Sequence, residues 1–206
     1  MNEVGRSGDG PSAVAAGRIE GPGIARPNGW WGVALLVAGE TAFFGTLIAS
    51  YFYLRFSSTD WPPAGIDPPE VALPLALTAA LVATALPTWM SVRAARRGDA
   101  AAARLWLLLA AAVQIGYLVT QGFLFASDLD DFSPRATAYG SIYFTLLAVH
   151  HAHVVLGVLL ELGLVVLLLR GLTHYRLVGV RAVGLYWGFV DAVAVLVVLT
   201  QISPSL

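Results

Sequence analysis

The sequence predicts an all-α, polytopic membrane protein with five transmembrane helices, and three observations carry that prediction. Hydrophobic residues make up 57% of the 206-residue chain and the mean hydropathy is +0.73, far above the range of water-soluble domains. Five apolar runs are long enough to cross about 30 Å of hydrocarbon, which takes roughly 20 helical residues. The basic residues, all of them arginine, fall almost entirely between alternate runs.

The runs occupy residues 30–56, 71–92, 105–127, 137–169 and 182–202 of a 30–206 transmembrane domain. Residues 1–29 are rich in Gly, Pro and Ser and lack the apolar core of a secretory signal, so they read as a flexible cytoplasmic tail. The first and fourth runs exceed the minimum span and are expected to tilt or to project beyond the bilayer. In the second, Pro74 starts the helix and Pro87 bends or ends it, because proline lacks the amide that a helix interior uses.

Orientation follows from the arginines. Arg6, Arg18 and Arg26 precede the first crossing; Arg93, Arg96, Arg97 and Arg104 fill the second-to-third loop; Arg170, Arg176 and Arg181 fill the fourth-to-fifth loop. Only Arg55 and Arg135 fall on the other side, a ten-to-two bias that predicts an N-in, C-out topology. The outer loops then carry Asp60, Asp67, Glu70, Asp128, Asp130 and Asp131. Such an acidic face suits a basic soluble partner, although ordinary solvated loops are the simpler account of it. The chain has no cysteine, which excludes disulfides, thiolate metal sites, iron–sulfur clusters and thiol nucleophiles. A net charge of −1 points to no nucleic-acid partner.

Ionisable groups inside a bilayer cost a few kcal/mol each and are the default functional candidates. Six qualify: Glu40, His150, His151, His153, Glu161 and Asp191. At 1.5 Å per residue, Glu40 and Asp191 lie about 15 Å from the arginine-bearing side and His150 about 20 Å from the other, so one layer is expected to hold them. His150 and His153, three residues apart, are expected to face the same way with Glu161 completing the stripe, while His151 points about 100° away.

Three histidines in LAVHHAHVVLG invite a metal or haem site, but adjacent helical residues diverge and the fourth histidine, His174, is predicted to lie in a loop. Bis-histidine haem ligation would need a second intramembrane helix bearing histidine, and none is predicted. Interhelical hydrogen bonding by His150 and His153 is the expected role, with a proton-linked role as the alternative. For Glu40 and Asp191 a neutral, hydrogen-bonded carboxyl and a proton-handling one remain equally open. The chain has no phosphate-binding Gly-rich loop, no zinc-protease helix, no serine-hydrolase elbow and no inverted halves of a secondary transporter.

The order and spacing of several stretches resemble subunit III of haem–copper respiratory oxidases over nearly the whole transmembrane region. WWGVALLVAGETAFFGTLIASYFYLRF is similar to that family's opening core helix, with Glu40 at its intramembrane glutamate. WPPAGID (61–67), TWMSVRAARRGD (88–99) and YGSIYF followed by VHHAHVVLG match further family segments, the last placing the family's two histidines at His150 and His153. LYWGFVDAV resembles W-Y-W-H-F-V-D-x-V and places its aspartate at Asp191. The chain departs from the pattern at Gly188 (histidine in the family), Leu185 and Ala194 (tryptophans), Arg181 (glutamate) and His151 (glycine).

The resemblance implies the short, five-helix bacterial form of a cytochrome c oxidase subunit, its helices in two bundles separated by a V-shaped lipid cleft. It implies a non-redox core subunit of an oxygen-reducing, proton-pumping complex in the bacterial cytoplasmic (inner) membrane. Haem and copper would reside in partner subunits I and II, and this chain would bind structural phospholipids, with Arg93, Arg96, Arg97 and Arg181 as headgroup candidates. Its role would be to stabilise the catalytic subunit and to support proton uptake and oxygen access in a cytochrome c- or quinol-oxidising complex. Glu40, His150 and Asp191 would be buried in the bundle. An accessory subunit of a nitric oxide reductase and a stand-alone proton-coupled transporter are the alternative functions.

Overall fold

A computed structural model of the chain describes residues 28–205. The expected tail, with Arg6, Arg18 and Arg26, lies outside the described residues, apart from Asn28 and Gly29, which already belong to the first helix. The described residues form helices α1 (Asn28–Phe56), α2 (Ala72–Ala83), α3 (Ala85–Arg96), α4 (Ala100–Asp131), α5 (Ala138–Leu168) and α6 (His174–Ile202), followed by a 3₁₀ turn over Ser203–Ser205. Because α2 and α3 together make one span, there are five helical segments long and apolar enough to cross a membrane.

The break between α2 and α3 falls at Thr84, three residues before Pro87. A proline at 87 cannot donate to the carbonyl of residue 83, so the ladder is interrupted there. Thr84 instead closes a tighter bond from its N–H to Leu81 O at 2.9 Å, and the helix resumes with Thr88 N–H on Thr84 O at 3.1 Å. Pro87 therefore bends the second span without ending it, and α3 runs on to Arg96.

Three helix ends extend beyond the apolar runs, where hydropathy no longer marks them, and at two of them a polar side chain caps the helix. Helix α4 starts five residues before position 105, because the Asp99 side chain accepts from Ala102 N–H at 2.8 Å. At its far end Asp128, Asp130 and Asp131 belong to the last turns of α4 and not to a loop. Helix α6 starts at His174 under a Thr173 cap on Arg176 N–H. His174, Arg176 and Arg181 are consequently helical, and Arg170 alone of the three fourth-to-fifth arginines lies between helices.

The α3–α4 connection is a tight hairpin. Gly98 adopts φ +82, a left-handed conformation that favours glycine. It places Gly98 N–H on Ala95 O and Asp99 N–H on Ala94 O, both at 3.1 Å, so α3 is closed by one residue and α4 opened by the next. Ala94, Ala95, Ala103, Ala110 and Ala111 are all buried. Their small side chains let the α3 and α4 backbones approach closely where lipid offers no hydrophobic drive.

Helix α5 packs between α4 and α6; α6 also touches α1, α2 and α3; and α1 rests on α5 and α6 alone. These contacts link all five spans through α5 and α6. At the arginine-rich end Arg104 donates to Leu168 O, and the Arg176 guanidinium donates to Arg170 O and Gly171 O, satisfying carbonyls at the end of α5. At the acidic end the Arg55 guanidinium donates to Ser203 Oγ and Ser203 O, tying the end of α1 to the end of α6.

Candidate functional site

The polar side chains of the membrane-spanning segments gather around the middle of α5. His153 donates its Nδ1–H to Val149 O at 2.8 Å, since a carbonyl can only accept. That leaves Nε2 facing Glu40 Oε2 on α1 at 3.2 Å. One proton must lie between these two atoms, carried either by a carboxyl donating to a neutral imidazole or by an imidazolium donating to a carboxylate. Phe44 and Phe189 stand edge-on to the His153 ring, and Tyr186 OH donates to His153 O at 2.9 Å, which fixes this turn of α5 against both α1 and α6.

His150 turns the other way. Its Nε2 lies 3.4 Å from Tyr117 OH on α4, and the residue is 2% exposed with Nδ1 unpartnered. His151 packs its ring on Tyr117 at 5.8 Å and on His150 at 5.6 Å. The expectation that His150 and His153 face one way therefore needs correction. An offset of three residues leaves about 60° between them on the helix, enough to send one side chain to α4 and the other to α1. Among the described residues no group of three His, Cys, Asp or Glu side chains is placed to hold a metal ion.

One turn beyond His153 the α5–α6 seam tightens. A Cβ at Gly157 would lie 2.8 Å from Trp187 Cζ2, so only glycine admits the indole here. Glu161, fully buried on the next turn, neighbours Gln114 of α4 and Trp187 of α6.

Asp191 does not join this cluster. It is 6% exposed, neither carboxyl oxygen has a hydrogen-bond partner, and it lines a cavity of about 440 Å³ between α3 and α6. Arg96, Arg181, Trp89 and Gly188 line the same cavity. A Cβ at Gly188 would meet nothing within 4 Å, so the family's histidine position is open space among the described residues. Arg93 lies over the Trp89 ring at 5.1 Å, while Arg97 caps α3. The four headgroup candidates thus belong to the ends of α3 and α6, all exposed.

Of the site residues expected from sequence, Glu40 and His153 form one pair, His150 forms a second site with Tyr117, and Asp191 forms a third location. Glu40 is not buried in the bundle: its side chain is 28% exposed, because α1 packs only on α5 and α6 among the described helices. Tyr117, Gln114, Gln121, Tyr186 and Trp187 are the participants that sequence reading missed. Tyr117 and Gln121 sit four residues apart on α4, and that polar spacing within an apolar run was the available signal.

Residues 25–202 match the family model described as cytochrome c oxidase subunit III. The chain is 31% identical over 170 residues to a probable cytochrome c oxidase subunit 3 from Nocardia farcinica, covering 79% of this chain and 81% of that one. It is 28% identical over 173 residues to cytochrome c oxidase subunit 3 of Bacillus subtilis, covering 82% and 83%. A probable quinol oxidase subunit 3 from Staphylococcus haemolyticus is 28% identical over 171 residues, covering 80% and 82%. Five membrane-crossing helices, the pairing of the motif residues Glu40 and His153, and a match that spans them all agree: this chain belongs to the cytochrome c oxidase subunit III family, as a multi-pass membrane subunit of a haem–copper oxidase.

Proposed function

We propose that the chain is a non-redox core subunit of a cytochrome c-oxidising, proton-pumping haem–copper oxidase in the bacterial inner membrane, oriented N-in and C-out. It packs against subunit I, and with subunit II in the same complex, it stabilises the catalytic subunit that reduces oxygen to water. The haem and copper belong to those partners. The observation that carries this reading is the 3.2 Å contact between Glu40 and His153, two motif residues far apart in sequence that α1 and α5 bring together. A shared proton at a half-exposed position supports a part in proton uptake. The exposed arginines Arg93, Arg96, Arg97 and Arg181, gathered at one end, support phospholipid binding by their guanidinium forks. The apolar flanks of the helices support a route for oxygen through lipid toward the partner.

Purification of the tagged chain in mild detergent, with optical spectra and partner identification, tests the assembly. Haem-bearing partner subunits are expected to copurify, and their absence overturns the reading. Replacing Glu40→Gln then separates its roles. A proton-handling Glu40 lowers pumping or hastens inactivation during turnover, whereas unchanged behaviour makes it structural. The Staphylococcus haemolyticus relative favours a second reading, a quinol-oxidising complex. Oxygen consumption driven by reduced cytochrome c or by quinol decides between the two donors.

A further inference from the structure

A second cavity, of about 410 Å³, lies between α2, α4, α5 and α6 toward the acidic end of the bundle. Its character changes along its length in a definite order. Glu70, Asp128 and Asp131 line its outer part, and Glu70 and Asp131 are exposed. Further in stand Gln121, Tyr143 and Gln201; Tyr143 OH donates to Asp128 Oδ2 at 2.8 Å, and Gln201 Nε2 donates to Tyr143 O at 3.3 Å. At the inner end are Tyr117 and His150. Asp128 and Tyr117 are eleven residues apart on α4, so the cavity reaches about 16 Å along the helix axis.

An apolar cavity of this size would stay dry, but this one presents carboxylates, amides, phenols and an imidazole along its whole length. The imidazole is the second, independent pointer to an occupant. His150 is 2% exposed, lines the cavity, and carries an Nδ1 with no hydrogen-bond partner. Buried polar atoms that line a roomy polar cavity are satisfied by water, and 410 Å³ holds on the order of ten molecules at about 30 Å³ each. The carboxylates at the outer part give the passage a negative potential, which concentrates small cations and repels anions.

We propose that this cavity is a water-filled shaft, open at the acidic end and selective for small cations, that carries solvent from outside the bundle to the imidazole of His150. It stops at the α4-facing side of α5; the Glu40–His153 pair lies one turn further on, on the side facing α1. The shaft lies wholly within this chain and is independent of which electron donor feeds the complex.

The absence of native cysteine allows a direct test, because each single substitution introduces the only thiol in the chain. In opened membranes containing the assembled complex, Gln121→Cys and Ala194→Cys place a thiol in the shaft, while Val119→Cys and Leu196→Cys place one at the same depths on the outward faces of the same helices. A cationic methanethiosulfonate is expected to modify the two shaft positions at least about tenfold faster than the two outward ones, and about tenfold faster than its anionic analogue does. Glu70→Gln, Asp128→Asn and Asp131→Asn together are expected to erase the charge preference while leaving the shaft reactive. If a shaft thiol, in a variant that still copurifies with its partners, reacts no faster than its outward control, the shaft is not hydrated and the proposal fails. Equal rates with cation and anion overturn the selectivity. Should Gln121→Cys not assemble, Ala194→Cys carries the same comparison.

Discussion

Helices α1 and α6 are alike in sequence and unlike in the fold. Each has 29 residues, and their apolar windows have mean hydropathies of 1.7 and 2.1. Yet 6% of the α1 window is buried in the chain and 50% of the α6 window. Each carries one carboxylic acid near its middle. Glu40, on the peripheral helix, has a partner in His153, whereas Asp191, on the central helix, is buried without one. Burial and pairing are thus decoupled: the more exposed acid is the one held by the protein. In hydrocarbon, hydropathy selects segments that cross but does not select their neighbours, because lipid and apolar side chains are nearly equivalent surroundings. Small residues, aromatic shape and hydrogen bonds do the selecting.

The central position of α6 depends most on the Gly157–Trp187 contact. Gly157→Val drives a branched side chain into the indole and is expected to cost about 3 kcal/mol, read as a lowered unfolding midpoint in detergent. Gly163→Val, on the same helix where a Cβ meets nothing within 4 Å, is the matched control and is expected to change little. Equal midpoints for the two variants would remove this contact from the account of why α6 is central.

Helix α1 is held to α6 at its acidic end by Arg55. Arg55→Ala removes charge-assisted hydrogen bonds and is expected to cost about 1.5 kcal/mol. The loss should be local, seen as faster amide exchange in the last turns of α1 than in α6. Uniform acceleration across both helices would show that α1 is not a separable, peripheral element.

The two acids give the sharpest contrast at smaller magnitude. Glu40→Leu strips His153 of its partner and is expected to cost about 1 kcal/mol. Asp191→Leu replaces an unpartnered buried carboxyl beside open space, and is expected not to lower the midpoint at all. The reverse ranking would mean that Asp191, not Glu40, is the acid that the bundle needs. Smallest is Tyr186→Phe, which removes one bond to a backbone carbonyl and is expected to cost about 0.6 kcal/mol, measurable by the same unfolding assay.

Much of the architecture was legible because it rests on local rules. Five apolar runs became five spans, Pro87 produced a break at Thr84, and Glu40, His150 and His153 all lie within helices long and apolar enough to cross a membrane, with Glu40 facing His153 and His150 facing Tyr117. Helix ends were less legible, since Asp99 and Thr173 cap α4 and α6 in polar surroundings where the apolar signal has already faded. The partners of the histidines were not legible at all. Periodicity groups His150 with His153, but the pairing of one with Tyr117 and the other with Glu40 is set by which helices flank α5.

The sequence by itself determined that the chain crosses a membrane five times, which residues would carry polarity into the hydrocarbon, and to which family its motifs point. The first two follow from composition and spacing along single segments, because in lipid every span must satisfy its own backbone bonds, and the third from the resemblance of several stretches in order. The tertiary structure alone decided that α6 is central and α1 peripheral, that Glu40 meets His153, that Asp191 stands apart in a cavity shared with Arg96 and Arg181, and that polar residues of four helices line one cavity. These are relations between helices, fixed by close approach at positions such as Gly157 and by hydrogen bonds across seams, and no property of one helix contains them.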